Sequence, residues 1–179
     1  MPLVMPPKST ALGKKSVVIL TTPPAASTGI PTLAEANAGV FAALHIHGDF
    51  SVTPTQNTGE GNRPLGSKFS PTQLGMVNYP ATDVQYSYKP QDVATAGAAG
   101  NEVYEALVPG SRVTVLVIND VDGEVDTLAA GDVVDVFLME CGVRRKGQTG
   151  DGEFDYHSVT QSLVTVGGEP IAEDHALAA

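Results

Sequence analysis

The chain has 179 residues and a formal net charge of -10 at pH 7, a length that allows one domain with a sizeable core. The acidity argues against a surface that grips nucleic acid, because affinity for phosphates is dominated by Lys and Arg. Cys141 is the single cysteine, so an internal disulfide and a cysteine metal cluster are excluded, and we expect it to be a small core residue.

Short apolar runs separated by 19 glycines and 13 prolines, with little helical periodicity, predict an all-β sandwich or barrel. No apolar run approaches membrane-spanning length, and the run after Lys14 and Lys15 has too few apolar residues for a signal peptide. We therefore expect synthesis in a cytosol without export.

The beginning of the chain differs from the rest in composition. Residues 1–28 are rich in proline and contain three lysines, which predicts an extended N-terminal arm with the strand-like run Ser16 to Leu20 inside it. We expect neighbouring subunits to hold this arm. Residues 29–179 are then expected to form the β domain.

Two helices are predicted within the β domain. The first covers residues 31–39, where Thr32 and Glu35 fit a capping box and Gly39 occupies the position of a C-cap. The second flanks the sheet at about residues 97–108, with Asn101 as a possible cap and a Pro-Gly stop.

Two alternating segments flank a long polar connection. Residues 40–50 alternate in a way that predicts one strand. Residues 51–80 have few apolar anchors, and a connection of this length in a compact domain is usually functional or held by a partner. Residues 83–89 alternate again and predict a second strand. Its core-facing residues are expected to be Val84, Tyr86 and Tyr88.

The segment Arg112 to Lys146 is expected to form a central hairpin, with apolar residues on both faces of its two strands. The connection between the two strands is acidic, and the second strand is expected to begin near Asp132. Three basic residues at its end, Arg144 to Lys146, form a basic cluster that is expected to stop the strand. No Lys or Arg lies between Arg112 and Arg144, so charge is segregated along the hairpin. Residues 154–166 are expected to add one long strand or two short ones before the acidic tail.

Two patterns resemble metal sites. His45, His47 and Asp49 alternate with the spacing of zinc ligands, and His157 or His175 could supply a third histidine, but a solvated strand face explains the same pattern and is preferred. Residues 119–124 resemble a calcium loop, yet both anchoring carboxylates of such a loop are absent.

Catalytic signatures are missing from the sequence. Neither a phosphate-binding glycine loop nor a nucleophile elbow occurs. We predict no enzyme activity, no cofactor and no metal. A zinc-dependent enzyme that uses His45 and His47 is kept as an alternative from another class.

The basic and acidic regions of the chain suggest contacts between subunits. A positive end on one subunit that meets a negative end on the next produces head-to-tail contacts, and such contacts build rings or filaments. The alternative is a solvated charged surface without a partner.

Three segments carry a resemblance to a known family: residues 31–39, residues 132–146 with Glu140-Cys141-Gly142 before the basic cluster, and the terminal strand running into residues 171–174. They resemble the major tail (tail tube) proteins of long-tailed bacteriophages, particularly those of actinobacterial hosts. The resemblance covers most of the chain after about Ile30.

The resemblance implies a β-sandwich or half-barrel subunit with one flanking helix, assembled as hexameric rings that stack into a tube. Subunits of such tubes contribute strands to an inner barrel, and double-stranded DNA passes through the lumen without specific binding. A structural virion protein is implied, assembled in the cytoplasm of the bacterial host, with tape measure, tail terminator and tail tip proteins as partners. Alternatives are a tail terminator, a head-completion ring or a capsid decoration module.

The residues predict which surfaces would serve such a tube. An acidic chain fits a lumen that repels the DNA backbone. Polar faces of alternating strands give the candidate lumen residues Gln85, Ser87, Asp155 and His157. An acidic loop that faces the basic cluster or basic arm of a neighbour gives the candidate inter-subunit residues Asp120, Asp122, Glu124, Asp126, Arg144, Arg145, Lys146, Lys14 and Lys15. Residues 51–80 are expected to contact the neighbouring ring.

Overall fold

A computed structural model describes residues 12–153 and 155–178. That part of the chain is mostly β structure with two short α-helices and one 3-10 turn, Pro90–Asp92. The strands are β1 Lys15–Leu20, β2 Val40–Phe41, β3 Ile46–His47, β4 Thr55–Glu60, β5 Thr72–Asn78, β6 Thr82–Ser87, β7 Arg112–Asn119, β8 Val133–Gln148, β9 His157–Thr165 and β10 Ala172–Ala176. The helices are α1 Leu33–Asn37 and α2 Glu102–Ala106.

Eight strands form one antiparallel sheet in the order β2-β1-β7-β8-β9-β6-β3, with β10 paired to the first part of β8. β8 organises this sheet, because its first half pairs with β7 and its second half pairs with β9. The predicted central hairpin is therefore confirmed. Its second strand is longer than predicted, and the basic cluster lies inside β8 and does not end it.

The sheet curls into a half-barrel because its two outermost strands are close neighbours in sequence. Residues 42–45 alone join β2 at one end of the sheet to β3 at the other. The prediction of one strand over residues 40–50 is wrong, since the Ala42 carbonyl accepts hydrogen bonds from the amides of His45 (2.9 Å) and Ile46 (3.1 Å) and turns the chain. The all-β half-barrel prediction is confirmed.

Apolar side chains cover both faces of the central strands, as predicted. Val113, Val115 and Val117 enter a main core inside the curl, together with buried residues of β6, β8, β9 and α2. Leu116 and Ile118 enter a second core on the outer face, which α1 and the segments around Leu128 and Leu177 cover. The predicted core residues of β6 (Val84, Tyr86 and Tyr88) and Cys141 all lie in the main core. Burial raises the pKa of the Cys141 thiol.

Helix α1 begins where its capping box predicts. The Thr32 hydroxyl accepts from the Glu35 amide, and the Glu35 carboxylate accepts from the Thr32 amide at 2.8 Å. Gly39 is not the C-cap, however, because Ala38 occupies that position. A Cβ on Gly39 would lie 2.6 Å from both Leu20 and Val18, so glycine is required there for close packing of α1 against β1.

Helix α2 is shorter than predicted, but its expected stripe is buried against the sheet: Val103, Ala106 and Leu107 are at most 5% exposed. Asn101 stands at the N-cap position without a capping side-chain bond. Its amide group instead exchanges hydrogen bonds with the backbone of Lys89, at 2.8 and 3.1 Å, and ties α2 to the end of β6.

The strand-like run predicted from Ser16 to Leu20 is confirmed, and it begins one residue earlier, at Lys15. It forms β1, which lies between β2 and β7 and is almost fully buried from Ser16 onward. The predicted loop of residues 51–80 contains a hairpin, β4 and β5, that pairs with no other described strand and whose strand residues are all exposed. We call residues 55–78 the hairpin arm. Residues 1–11 and the predicted strand residue Phe154 lie outside the described residues.

Candidate functional site

Among the described residues, the outer-face core that α1 covers includes side chains of β1, β7 and the first half of β8 but none of β6, β9 or the second half of β8. Small polar and charged side chains alternate along these three strands and align in register, since Asp83 pairs with Ser162, Gln85 with Thr160 and Ser87 with Ser158. We call this surface the polar face. Its residues are Asp83, Gln85 and Ser87 of β6, Ser158, Thr160 and Ser162 of β9, and Arg145 of β8.

The polar side chains of this face bind one another. The Asp83 carboxylate accepts hydrogen bonds from the Ser162 hydroxyl and from the Arg145 guanidinium, the latter at 2.8 Å. These two bonds, the one from Ser162 first, lower the pKa of Asp83 below its usual range. The Gln85 amide donates to the Ser158 hydroxyl at 3.1 Å. At the edge of the sheet, Arg112 pairs with Glu140 at 3.4 Å.

A β-bulge decides which basic residue reaches the polar face. Cys141 pairs with Leu163 and Arg144 pairs with Gln161, so β8 carries one more residue than β9 between these pairs. The insertion exchanges the two faces of the strand beyond it. Val143 is consequently 76% exposed, whereas Arg144 points inward and Arg145 outward.

The Arg144 side chain makes its contacts within its own subunit. Its guanidinium lies 3.7 Å from the centre of the Tyr104 ring and donates hydrogen bonds to the carbonyls of Tyr104 and Leu107, the latter at 2.9 Å. A cation that caps the last carbonyls of a helix is favourable, and here it fixes α2 over the main core. These contacts argue against Arg144 as an inter-subunit residue.

The four predicted lumen residues do not share one surface. Gln85 and Ser87 lie on the polar face. His157 lies on the opposite face of β9, because strand residues alternate and Ser158 faces Ser87. Asp155 precedes β9 in a turn, where its carboxylate accepts from the Thr149 hydroxyl at 3.0 Å. Of the four, Gln85 and Ser87 therefore share one surface, and a lumen position for the four residues stays a prediction.

The two charged ends of the central hairpin, which we call the charge poles, lie far apart. The acidic loop, residues 120–126, follows β7 and leads toward the start of β8, whereas Arg145 and Lys146 lie near the end of β8. About 13 residues of strand separate them, roughly 40 Å. Asp122, Glu124 and Asp126 are exposed at the loop, and the amide of Asp120 donates to the Lys14 carbonyl at 2.9 Å.

The two predicted basic residues of the arm differ in their contacts. Lys15 is half-buried and forms an ion pair of 2.9 Å with Asp49, which lowers the pKa of that carboxyl. Lys14 is exposed beside the acidic loop. Lys146 is exposed too, with its ammonium 5.6 Å from the centre of the Tyr104 ring.

The histidines of the zinc pattern point to different partners. His45 lies in the turn between β2 and β3, with its Nε2 3.7 Å from a Glu102 carboxylate oxygen. His47 stacks on Tyr156, with ring centres 5.8 Å apart. Within residues 12–153 and 155–178, no group of three His, Cys, Asp or Glu side chains is arranged to hold a metal ion. In the same residues, no helix combines the length and apolarity required to cross a membrane.

A pocket of about 580 Å³ opens beside the end of β6. Tyr88, Pro90 and Gly100 line one side of it, and Tyr156 and His157 line the other. We call it the β6 pocket.

A half-barrel with an open polar sheet face, separated charge poles and a projecting hairpin arm has the features of a structural subunit that packs against other proteins. The chain belongs to the phage tail tube protein family, because the model of that family, described as Phage tail tube protein, matches residues 4–168. No curated protein matches the chain. Membership makes the protein a structural component of the phage tail, located in the virion and assembled with other phage proteins.

Proposed function

We propose that this protein is the subunit of a tube of stacked rings, hexameric in symmetry, through which double-stranded DNA passes during ejection into the host. It acts by self-assembly and without catalysis. The observation that carries the proposal is the polar face, a sheet surface left open in the subunit although it extends over three strands. A sheet of this kind suits the wall of a conduit whose neighbouring sheets continue it at both edges.

The chemistry of the polar face fits DNA that slides without being held. Its arginine, Arg145, is neutralised by Asp83, and Arg112 at the edge is neutralised by Glu140. The other members are hydroxyl and amide side chains bonded to one another or half-buried. Because phosphate binding depends on available Lys and Arg, we propose that this face, with Gln85 and Ser87 at its centre, lines the lumen.

The charge poles supply a contact between rings. We propose that the acidic loop of one subunit faces the exposed Lys146, near the end of β8, of a subunit in the next ring. The poles lie at opposite ends of the longest strand, so rings stacked along that direction bring unlike charges together. Tape measure, tail terminator and tail tip proteins are the proposed partners at the two ends of the tube, which is assembled in the bacterial cytoplasm.

The purified protein is expected to polymerise into long tubes of uniform diameter, visible by negative-stain electron microscopy. The physical reason is that a head-to-tail contact leaves each added ring with a free end for the next. Single rings that never elongate would indicate a tail terminator or head-completion protein. Isolated trimers or monomers would contradict the proposal and favour a decoration module.

Reversing one charge pole is expected to abolish tube formation and leave the subunit folded. The variant pair Arg145→Glu with Lys146→Glu brings two acidic surfaces together. The matching pair Asp122→Lys with Glu124→Lys brings two basic surfaces together. Far-ultraviolet circular dichroism checks that each double variant retains its β structure.

The two double variants also control for each other. Each one alone remains unassembled, whereas an equimolar mixture is expected to recover tubes, because the reversed end of one variant meets the reversed loop of the other. Normal tubes from either variant alone would show that these poles do not meet. A mixture that stays dispersed would show that the poles matter for another reason.

A further inference from the structure

The tip of the hairpin arm, residues 61–71, exposes apolar side chains that nothing in the subunit covers within the described residues. Leu65 is fully exposed and Phe69 is 81% exposed. Farther along the arm, Leu74 and Met76 are 73% and 80% exposed. An isolated two-stranded hairpin is marginally stable in water, so an arm with this composition requires a surface to pack on.

The tip has a defined shape although it packs on nothing. The Gly61 amide donates to the Pro71 carbonyl at 2.7 Å and closes the end of the hairpin. The Ser67 hydroxyl donates to the Phe69 carbonyl at 2.8 Å and accepts from the Phe69 amide at 3.2 Å. Phe69 is therefore held in an outward position before any partner arrives, which reduces the entropy lost on docking.

The β6 pocket has the size and lining required to hold the exposed Phe69 side chain at the tip, which we call the knob. Its volume of about 580 Å³ lies within the roughly 300–1,000 Å³ of pockets that enclose ligands. Aromatic and apolar surface from Tyr88, Pro90 and Tyr156 lines it. Buried aromatic anchors that fill pockets of this kind supply most of the affinity of protein interfaces.

Charge complementarity selects the tip as the occupant. The two basic residues of the tip, Arg63 and Lys68, lie on either side of Leu65 and precede Phe69. The wall of the pocket includes the carboxylates of Asp92 and Asp155, and Glu102 approaches His45 of the same wall. Asp151 and Glu153 lie in the turn that carries Asp155 and add further negative charge. The opposing charges are Lys89 in the pocket wall and Lys146, whose ammonium lies 5.7 Å from the centre of the Tyr88 ring.

We infer that the tip of the hairpin arm inserts Phe69, with Leu65 beside it, into the β6 pocket of a second copy of this chain. Arg63 and Lys68 then meet the acidic rim of that pocket. The inference rests on the proposed self-assembly and specifies one contact within it. Each subunit then carries one knob, at the tip of its arm, and one socket, its β6 pocket. The contact can therefore repeat from one subunit to the next along the assembly.

The test is a disulfide between the knob and the socket. Cysteines are introduced by Ser70→Cys, next to the anchor Phe69, and Gln91→Cys in the pocket wall, and the native Cys141 is buried and does not interfere. Oxidation of the assembled protein is expected to give a ladder of covalent multimers on denaturing gels. The control places the first cysteine on the strand of the arm, with Thr58→Cys in place of Ser70→Cys, and is expected to give no ladder.

A second variant measures the energy of the contact. Phe69→Asp is expected to raise the critical concentration for assembly by about 30-fold, the effect of losing a central aromatic anchor. Val108→Asp, at an exposed apolar position outside the hairpin arm, the β6 pocket and the acidic loop, is the matched control and is expected to change it less than about threefold. Circular dichroism and the melting temperature confirm that both variants are folded.

The outcomes separate the two proposals. Tubes that form normally from Phe69→Asp, together with no ladder from the pair Ser70→Cys with Gln91→Cys, would overturn the contact between the tip and the β6 pocket while leaving the tube intact. Wild-type protein that does not assemble at all would overturn both. A ladder that appears only in assembled protein, with weakened assembly of Phe69→Asp, supports the inference.

Discussion

Replacing Arg144 with alanine is expected to lower the free energy of unfolding by about 3 kcal/mol, since hydrogen bonds from a charged donor and a cation–π contact are lost together. The change removes the donors to the carbonyls of Tyr104 and Leu107 and the cation that stacks on Tyr104. Both carbonyls belong to the end of α2, which closes the main core. The loss is therefore expected to loosen the helix as well as the strand.

Urea denaturation followed by circular dichroism measures this change, and a loss of this size corresponds to a fall of about 6–12 °C in melting temperature. Arg145→Ala is the matched control, because the neighbouring arginine is 59% exposed in its ion pair with Asp83. That pair is expected to contribute less than about 1 kcal/mol. Equal effects of the two substitutions would show that Arg144 is not a buried clamp.

Replacing Gln161 with leucine is expected to destabilise the protein by about 3 kcal/mol, because the buried Tyr86 hydroxyl and the Gly142 carbonyl both lose a side-chain partner, while the Leu107 carbonyl keeps its bond from Arg144. Gln161 is fully buried. Its carbonyl accepts from the Tyr86 hydroxyl at 2.8 Å, and its amide donates to the carbonyls of Leu107 (3.2 Å) and Gly142 (2.7 Å). Burial also raises the pKa of Tyr86 to about 12, so that hydroxyl remains a neutral donor that requires an acceptor.

The same denaturation experiment measures this loss, with Gln85→Leu as the control. Gln85 carries an identical side chain on the polar face, where it is half-buried and makes one side-chain hydrogen bond, to Ser158. We expect that substitution to cost less than about 1 kcal/mol. A Gln161→Leu variant as stable as its control would show that these groups find other partners.

Local signals in the sequence predicted the parts of the fold that depend on neighbours in the chain. The alternation of β7 and β6 identified both strands and their buried residues, and Thr32 with Glu35 located the start of α1. In each case the periodicity or the cap is determined within a few residues. The family resemblance, carried by three segments, was confirmed by the match over residues 4–168.

Features set by distant contacts were not predictable in the same way. The bulge between Cys141 and Arg144 follows from pairing with β9, and without it the alternation places Val143 inside and Arg144 outside. A Cβ on Gly142 would lie 2.9 Å from the Ser162 carbonyl oxygen, which marks the close approach of the two strands, but one glycine in a strand does not reveal a bulge. For this reason the sequence grouped Arg144 with the exposed basic residues, whereas the structure places its guanidinium on α2 of its own subunit.

The composition of the candidate site also depends on contacts between residues that are distant in sequence. Alternation within β6 alone places Gln85 and Ser87 on one face together with Asp83, whereas Ser162 and Arg145 were joined to them only by the register of β6, β8 and β9. His157 differs from the residues of the polar face because it alternates in phase with the buried Val159 and Leu163. The hairpin arm looked like a loop since its strands have few apolar anchors for a core.

The short link between β2 and β3 has a mechanical consequence. Because residues 42–45 tie together the two ends of the sheet, the sheet cannot flatten unless the pairing of Val18 with Phe41 or of Ile46 with Tyr86 is broken. The curvature of each subunit is thus set while it is still alone. A ring built from these subunits takes its radius from sheets that are already curved. The contacts between subunits therefore supply little elastic energy to close the ring.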